Sequence, residues 1–146
     1  MFELDERLAT DTCWLGDFPL CRALLMLDAN YPWLILVPRR AGLKEIYSLS
    51  EQDQQQLMVE SNAVAELMSE VFSADKMNTA ALGNMVPQLH LHHIARFRHD
   101  AAWPKPVWGC VPLKHYENSR LSERSTLLKK AFLSANLHFE AHSGGA

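Results

Sequence analysis

The chain is poor in the features that would mark a secreted, nucleic-acid-binding or membrane protein. Cysteine is scarce: Cys13, Cys21 and Cys110 are widely spaced and make no C-x-x-C pair. That spacing argues against a disulfide framework and a thiolate zinc site, and the three read as reduced packing residues. Charge of one sign is also lacking, since the net charge is only -3. A broadly basic surface for a nucleic-acid polymer is therefore disfavoured, while a local cationic pocket for one small anion is still compatible. The longest apolar run, Trp33–Pro38, is far too short to span a bilayer. Met1 to Thr12 carries Glu3, Asp5, Glu6 and Arg7, unlike the uninterrupted apolar core of a signal peptide. Internal repeats, low-complexity tracts and an obvious linker are missing too. The expectation is one cytoplasmic domain over residues 1–146, with no membrane partner.

What is present suits a packed domain. A hydrophobic fraction of 48% over 146 residues is enough for a real core. Phe2, Leu4 and Leu8 suit one face of a short starting helix. Cys13 to Phe18 and Cys21 to Asp28 are of strand length and parted by Asp17-Phe18-Pro19, which predicts a hairpin. Trp33 to Val37, closed by Pro38, reads as a buried strand. Ser50 followed by Asp53 resembles a capping box, and a long helix is predicted from there to Phe72, with Leu57, Val64, Leu67, Met68 and Val71 as its apolar stripe. Met77 to Leu82 reads as a fourth strand, Gly83-Asn84 as a turn, Gln88 to Phe97 as a fifth strand, and Ser119 to Phe139 as a last helix. This order predicts an α+β fold: an antiparallel sheet of about five strands, one long helix and a C-terminal helix. The core is expected over about 13–110, with a helical extension over about 115–140.

The sequence Q-L-H-L-H-H-I, Gln88 to Ile94, carries the chemistry. Strand side chains alternate, so Gln88, His90 and His92 share one face while Leu89, Leu91 and His93 share the other. The two imidazoles on the first face are then ~7 Å apart at their α carbons, within reach of one substrate group. His90 and His92 are expected in a solvent-accessible pocket, and His93 among packed side chains. One imidazole can attack phosphorus while its neighbour donates a hydrogen bond. The same H-x-H pair also suits a metal site, but needs a further ligand. His99 with Asp100 is the nearest candidate, and no cluster at ligand spacing completes the set.

The segment V-P-Q-L-H-L-H-H-I-A-R resembles the signature strand of the histidine triad (HIT) proteins, in which three His alternate with apolar residues and the middle one becomes nucleotidylated. Aligned so, Gln88 stands in the first His position, His90 in the nucleophile position and His92 in the third. Upstream, W-L-I-L-V-P-R resembles the family's strand ending in Pro and a basic residue, and the likeness runs roughly from Leu24 to Phe97. Two departures stand out. Gln88 replaces a triad His, and Trp33 replaces a His common before this strand in the family's nucleotide hydrolases. Glutamine can hydrogen-bond a phosphate but cannot act as a general acid near neutral pH.

The resemblance implies a homodimer and cofactor-free, metal-independent nucleotidyl transfer. The small-molecule partner would be a nucleotide with a substituted α-phosphate, a phosphoramidate or a dinucleoside polyphosphate. His90 would attack, His92 would contact a nonbridging oxygen, and Gln88 would complete the catalytic set. Asp28 resembles the residue that binds ribose hydroxyls, with a turn-forming Asp as the alternative. Asn78 resembles the amide near the phosphates. Gly83-Asn84-Met85 resembles a phosphate-facing glycine turn, with Met85 where a hydroxyl residue is frequent. Trp33 and Trp108 are expected against the nucleoside, whereas Arg96 reads as a surface strand-end residue. The rival readings are a nucleotide-binding module that has lost turnover and a metal enzyme using His90 and His92.

Overall fold

A computed structural model describes residues 1–144. In chain order it contains α1 (Glu6–Asp11), β1 (Thr12–Asp17), β2 (Cys21–Met26), β3 (Trp33–Pro38), a short 3-10 turn (Ile46–Ser48), α2 (Glu51–Phe72), β4 (Lys76–Ala80), β5 (Leu91–Arg96), α3 (Asn118–Leu133) and β6 (Glu140–Ala141). The strands form one antiparallel sheet in the order β4-β5-β3-β2-β1-β6. This is the expected α+β architecture, with six strands rather than about five.

The extra strand corrects the C-terminal prediction. The last helix stops at Leu133 instead of Phe139, and Glu140–Ala141 then pairs with Gly16 and Asp17 on the edge of β1. That approach needs glycine at position 16. A Cβ there would fall on the Glu140 carbonyl and the Phe139 ring.

Both faces of the sheet are covered, which explains why β3 is buried at every position. On one face Leu34, Leu36, Ala23, Leu25, Leu91 and Ala95 pack with Leu57, Val64 and Met68 of α2 and Leu128 and Phe132 of α3. Ser50 starts α2 as read from the sequence, its hydroxyl accepting the Asp53 N–H at 3.1 Å, which satisfies one orphan donor of the first turn. The apolar stripe of α2 omitted two buried polar residues. Glu60 accepts the Leu20 and Cys21 N–H groups at 2.9 and 2.8 Å, anchoring the start of β2 to the helix. Ser61 bonds His93 at 2.7 Å.

The opposite face carries Leu24, Trp33, Ile35, Val37 and Ile94, closed over by Leu8 of α1, Tyr31, and Ala102 and Val107 of the segment after β5. Arg96 organises that segment. It is buried at 2% exposure rather than lying on the surface, and forks onto Asp100 at 2.8 and 3.1 Å while reaching the Lys105 carbonyl at 2.8 Å. Against the desolvation that burial imposes, the Arg96 guanidinium and the N–H groups of Phe97, Ala102 and Trp103 hold the Asp100 carboxyl down to about 2.

Candidate active site

The fifth strand is shorter than predicted. Pairing begins at Leu91, so Gln88 and His90 precede the ladder. The reason is local. Pro87 has no N–H to contribute, and the Leu89 N–H is taken by the Leu43 carbonyl at 2.9 Å. Alternation nevertheless persists through this stretch. His90 and His92 stand together with ring centroids 4.8 Å apart, while His93 points into the α2 side at 0% exposure. Burial lowers the His93 pKa to about 4, making it a neutral core residue.

The His90–His92 pair is not an open pocket. Its members are only 7% and 6% exposed, and the cover round His92 is aromatic. Trp33 meets His92 edge-on at 5.6 Å, Trp108 meets it at 5.0 Å, and the two indoles are 5.7 Å apart and perpendicular. Trp108 itself remains 39% exposed, so it forms the outer wall. A cavity of about 260 Å³ adjoins His90, with Lys44, Tyr47 and Gly83 also in its lining.

Hydrogen bonds assign the ring protons. His90 Nδ1 lies 2.6 Å from the Gln88 carbonyl. A carbonyl only accepts, so Nδ1 carries the proton and Nε2 keeps a lone pair. The Trp33 indole N–H donates to His92 Nδ1 at 3.0 Å. An indole N–H only donates, so the proton of neutral His92 sits on Nε2. Desolvation, then the neighbouring His90 and His93, push the His92 pKa to about 3. Side by side, therefore, stand one imidazole with a free lone pair and one with a free N–H.

The remaining candidates are arranged differently from expectation. Gln88 does not join the pair with its amide. Its Nε2 donates to the Glu3 carbonyl and its Oε1 accepts the Asp5 N–H, both at 2.8 Å, so it clasps the N-terminal segment. Asp28 directs Oδ1 to the Asn30 N–H, the Asn30 amide and the Lys114 N–H at 3.0, 2.9 and 3.3 Å, as a turn-forming Asp does. Asn78 pairs with Ile94 and so shares the face of His92, but its Oδ1 is held by Arg96 at 2.8 Å. Asn84 is exposed in the turn after Gly83, whose φ of 79° suits glycine.

Three residues have parts that the sequence reading did not give them. Arg96 reads there as a surface strand-end residue, and Asp100, with His99, only as a candidate metal ligand. Arg7, whose Nη1 is 3.4 Å from the Met85 carbonyl, gave no signal, because its partner is backbone brought near by the fold. Among the described residues no group of three or more His, Cys, Asp or Glu is placed to hold a metal ion. Nor is any helix long and apolar enough to cross a membrane.

Comparison with known proteins matches residues 7–99 to the HIT domain. Among solved structures, the chain is similar to a histidine triad protein from Marinobacter aquaeolei, with 53% identity, 90% of this chain and 96% of that one covered, and a TM-score of 0.87. A histidine triad protein from Bradyrhizobium japonicum is 46% identical over 89% of this chain and 97% of that one, also with a TM-score of 0.87. One from Sinorhizobium meliloti is 41% identical, with 90% and 97% covered and again a TM-score of 0.87. No curated protein matches.

Proposed function

Because the chain belongs to the histidine triad family, we propose that it is an enzyme of nucleotidyl transfer, acting on the α-phosphate of a substituted nucleotide and normally passing the nucleotidyl group to water. The observation that carries this reading is the pair of opposed ring states 4.8 Å apart: a lone pair on His90 Nε2 and an N–H on His92 Nε2. His90 Nε2 attacks phosphorus, the bond to the leaving group breaks, and a nucleotidyl-histidine forms. His92 donates to a nonbridging oxygen and stabilises charge there in the transition state. Its low pKa suits this role, because the ring stays neutral and retains one fixed donor.

On this reading the remaining candidates take supporting roles. Trp108 forms the wall against the base, and Trp33 narrows the nucleoside side of the site while holding His92. The Asn78 amide N–H groups face phosphate oxygens, the Gly83-Asn84 turn offers backbone N–H groups, and Asp28 turns Oδ2 to a ribose hydroxyl. No cofactor takes part. Two copies of the chain associate on this reading, through the outer edge of β4, which among the described residues has no strand beyond it. Exposed Met58 and Val59 of α2, together with Leu82, supply apolar surface for the contact. On the same reading the protein works in the cytoplasm, which its three free cysteines support.

A specific observation favours a second reading: His90 and His92 are mostly covered and Gln88 is engaged elsewhere, as in a binding module without turnover. Release of nucleoside monophosphate from a panel of dinucleoside polyphosphates and phosphoramidates separates the two. Turnover that is abolished in His90→Ala supports the enzyme, and tight binding with no release supports the module.

A further inference from the structure

A cleft of about 410 Å³ opens between α3 and the segment that leads into it, and it shares no lining residue with the cavity beside His90. Three cations line it. Arg120 and Arg124 stand one turn apart on α3 and so share a face of the helix, while Lys114 lies on the preceding segment. Like charges at that spacing repel and weaken a helix unless a counter-charge offsets them. Among the described residues no carboxylate comes within ion-pair distance of Lys114, Arg120 or Arg124. Glu117 and Glu123 also line the cleft, but two carboxylates against three cations leave a positive balance, His115 aside.

Both walls are held in place by contacts that leave this charge unanswered. Arg124 donates to the Tyr116 hydroxyl at 2.9 Å, and its guanidinium lies 5.6 Å from the centre of that ring and 5.4 Å from the Phe72 ring at the end of α2. A guanidinium has five N–H donors, and aromatic neighbours attract its charge without accepting most of them. On the other wall the Lys114 carbonyl accepts the Ala29 N–H at 2.7 Å, and the Lys114 backbone N–H donates to Asp28 at 3.3 Å. Neither bond uses the ammonium. Phe72 and Leu127, the latter 43% exposed, add carbon surface to the same cleft.

From this arrangement we propose that the cleft is a second ligand site, which takes a small organic phosphomonoester. Such a group carries close to two negative charges at neutral pH and three acceptor oxygens. Arg120, Arg124 and Lys114 can each be given an oxygen, the guanidiniums in their forked geometry and the ammonium as a point charge. A lone carboxylate brings one charge and two oxygens, too few for three cations. The carbon skeleton of the ligand lies against Phe72 and Leu127, and Glu117 and Glu123 oppose a longer chain of phosphates.

The test titrates the full chain with phenyl phosphate and reads backbone amide shifts residue by residue. Saturable shifts are expected over residues 114–117 and 120–127. Arg120→Gln and Lys114→Gln, at positions exposed in the folded chain, should each weaken binding about three- to tenfold, while His90→Ala leaves it unchanged. Adenosine monophosphate and glucose 6-phosphate, titrated in the same way, tell a nucleotide occupant from a sugar phosphate, and either one saturating those amides supports the proposal. Shifts confined to the surroundings of His90 and His92, or an affinity unchanged in both variants, overturn it. So does benzoate or phenol bound as tightly as phenyl phosphate, or a lack of saturation at millimolar phenyl phosphate.

Discussion

Replacing Trp33 with phenylalanine isolates one hydrogen bond. The ring and most of the packing stay, while the N–H that His92 Nδ1 accepts at 3.0 Å is removed. His92 is only 6% exposed, so its Nδ1 loses a partner that water does not readily replace, at a cost of about 1–3 kcal/mol if nothing adjusts. The ring has an inexpensive adjustment, which is to move its proton from Nε2 to Nδ1. Such molecules present a lone pair where a donor is wanted. Transfer is therefore expected to slow by about tenfold, short of the 10²- to 10³-fold loss for removing a donor outright. Ring-nitrogen chemical shifts of His92 should show the proton on Nε2 in the parent protein and a mixture of tautomers in Trp33→Phe. A parent ring protonated on Nδ1, or a tautomer ratio unchanged by the substitution, refutes the assignment.

Acid should destabilise the fold earlier than carboxylates alone would dictate. His92 and His93 have folded pKa values of about 3 and about 4 against 6.5 for the free side chain. The unfolded chain therefore binds protons that the native state refuses. Stability is fully present above 6.5 and falls as pH drops towards those lower values, by roughly 1.4 kcal/mol per unit for each ring. Denaturant melts between pH 7 and 4 measure this slope, and His93→Phe should roughly halve it. Arg96→Met leaves the Asp100 carboxylate buried at 3% side-chain exposure without its cation. It should cost about 3–5 kcal/mol, visible as a lowered Tm. Gly16→Val should detach β6 from β1, raising hydrogen exchange at the His142 N–H, which donates to the Leu15 carbonyl at 2.8 Å, while β2 and β3 stay protected. His92→Ala should slow nucleotidyl transfer by about 10²- to 10³-fold without abolishing it, measured as single-turnover product formation.

The elements with a clear period or cap were legible in the sequence. Ser50 and Asp53 announced α2, the apolar run Trp33 to Val37 announced a buried strand, and alternation placed His90 and His92 on one face and His93 on the other. What the sequence hid were contacts between distant segments. Nothing near Gln88 indicates that Glu3 and Asp5, more than eighty residues away, take its amide. Strand pairing could not be read as starting at Leu91, because the Leu43 carbonyl that claims the Leu89 N–H lies in a loop without periodicity. Two-residue β6 is too short to carry a pattern, and its place depends on a missing side chain at Gly16. Trp33 was read as filling space against the nucleoside; its N–H on His92 follows from the two rings sharing a sheet face, one strand apart.

The central claim is that His90 Nε2 becomes covalently nucleotidylated. Rapid acid-free quenching of the protein during turnover of a dinucleoside polyphosphate, followed by intact mass and peptide mapping, tests it directly. The account predicts one nucleotidyl group per chain, acid-labile, on the peptide containing His90, and absent from His90→Ala. A label on His92 or His93, or full turnover by His90→Ala, contradicts it.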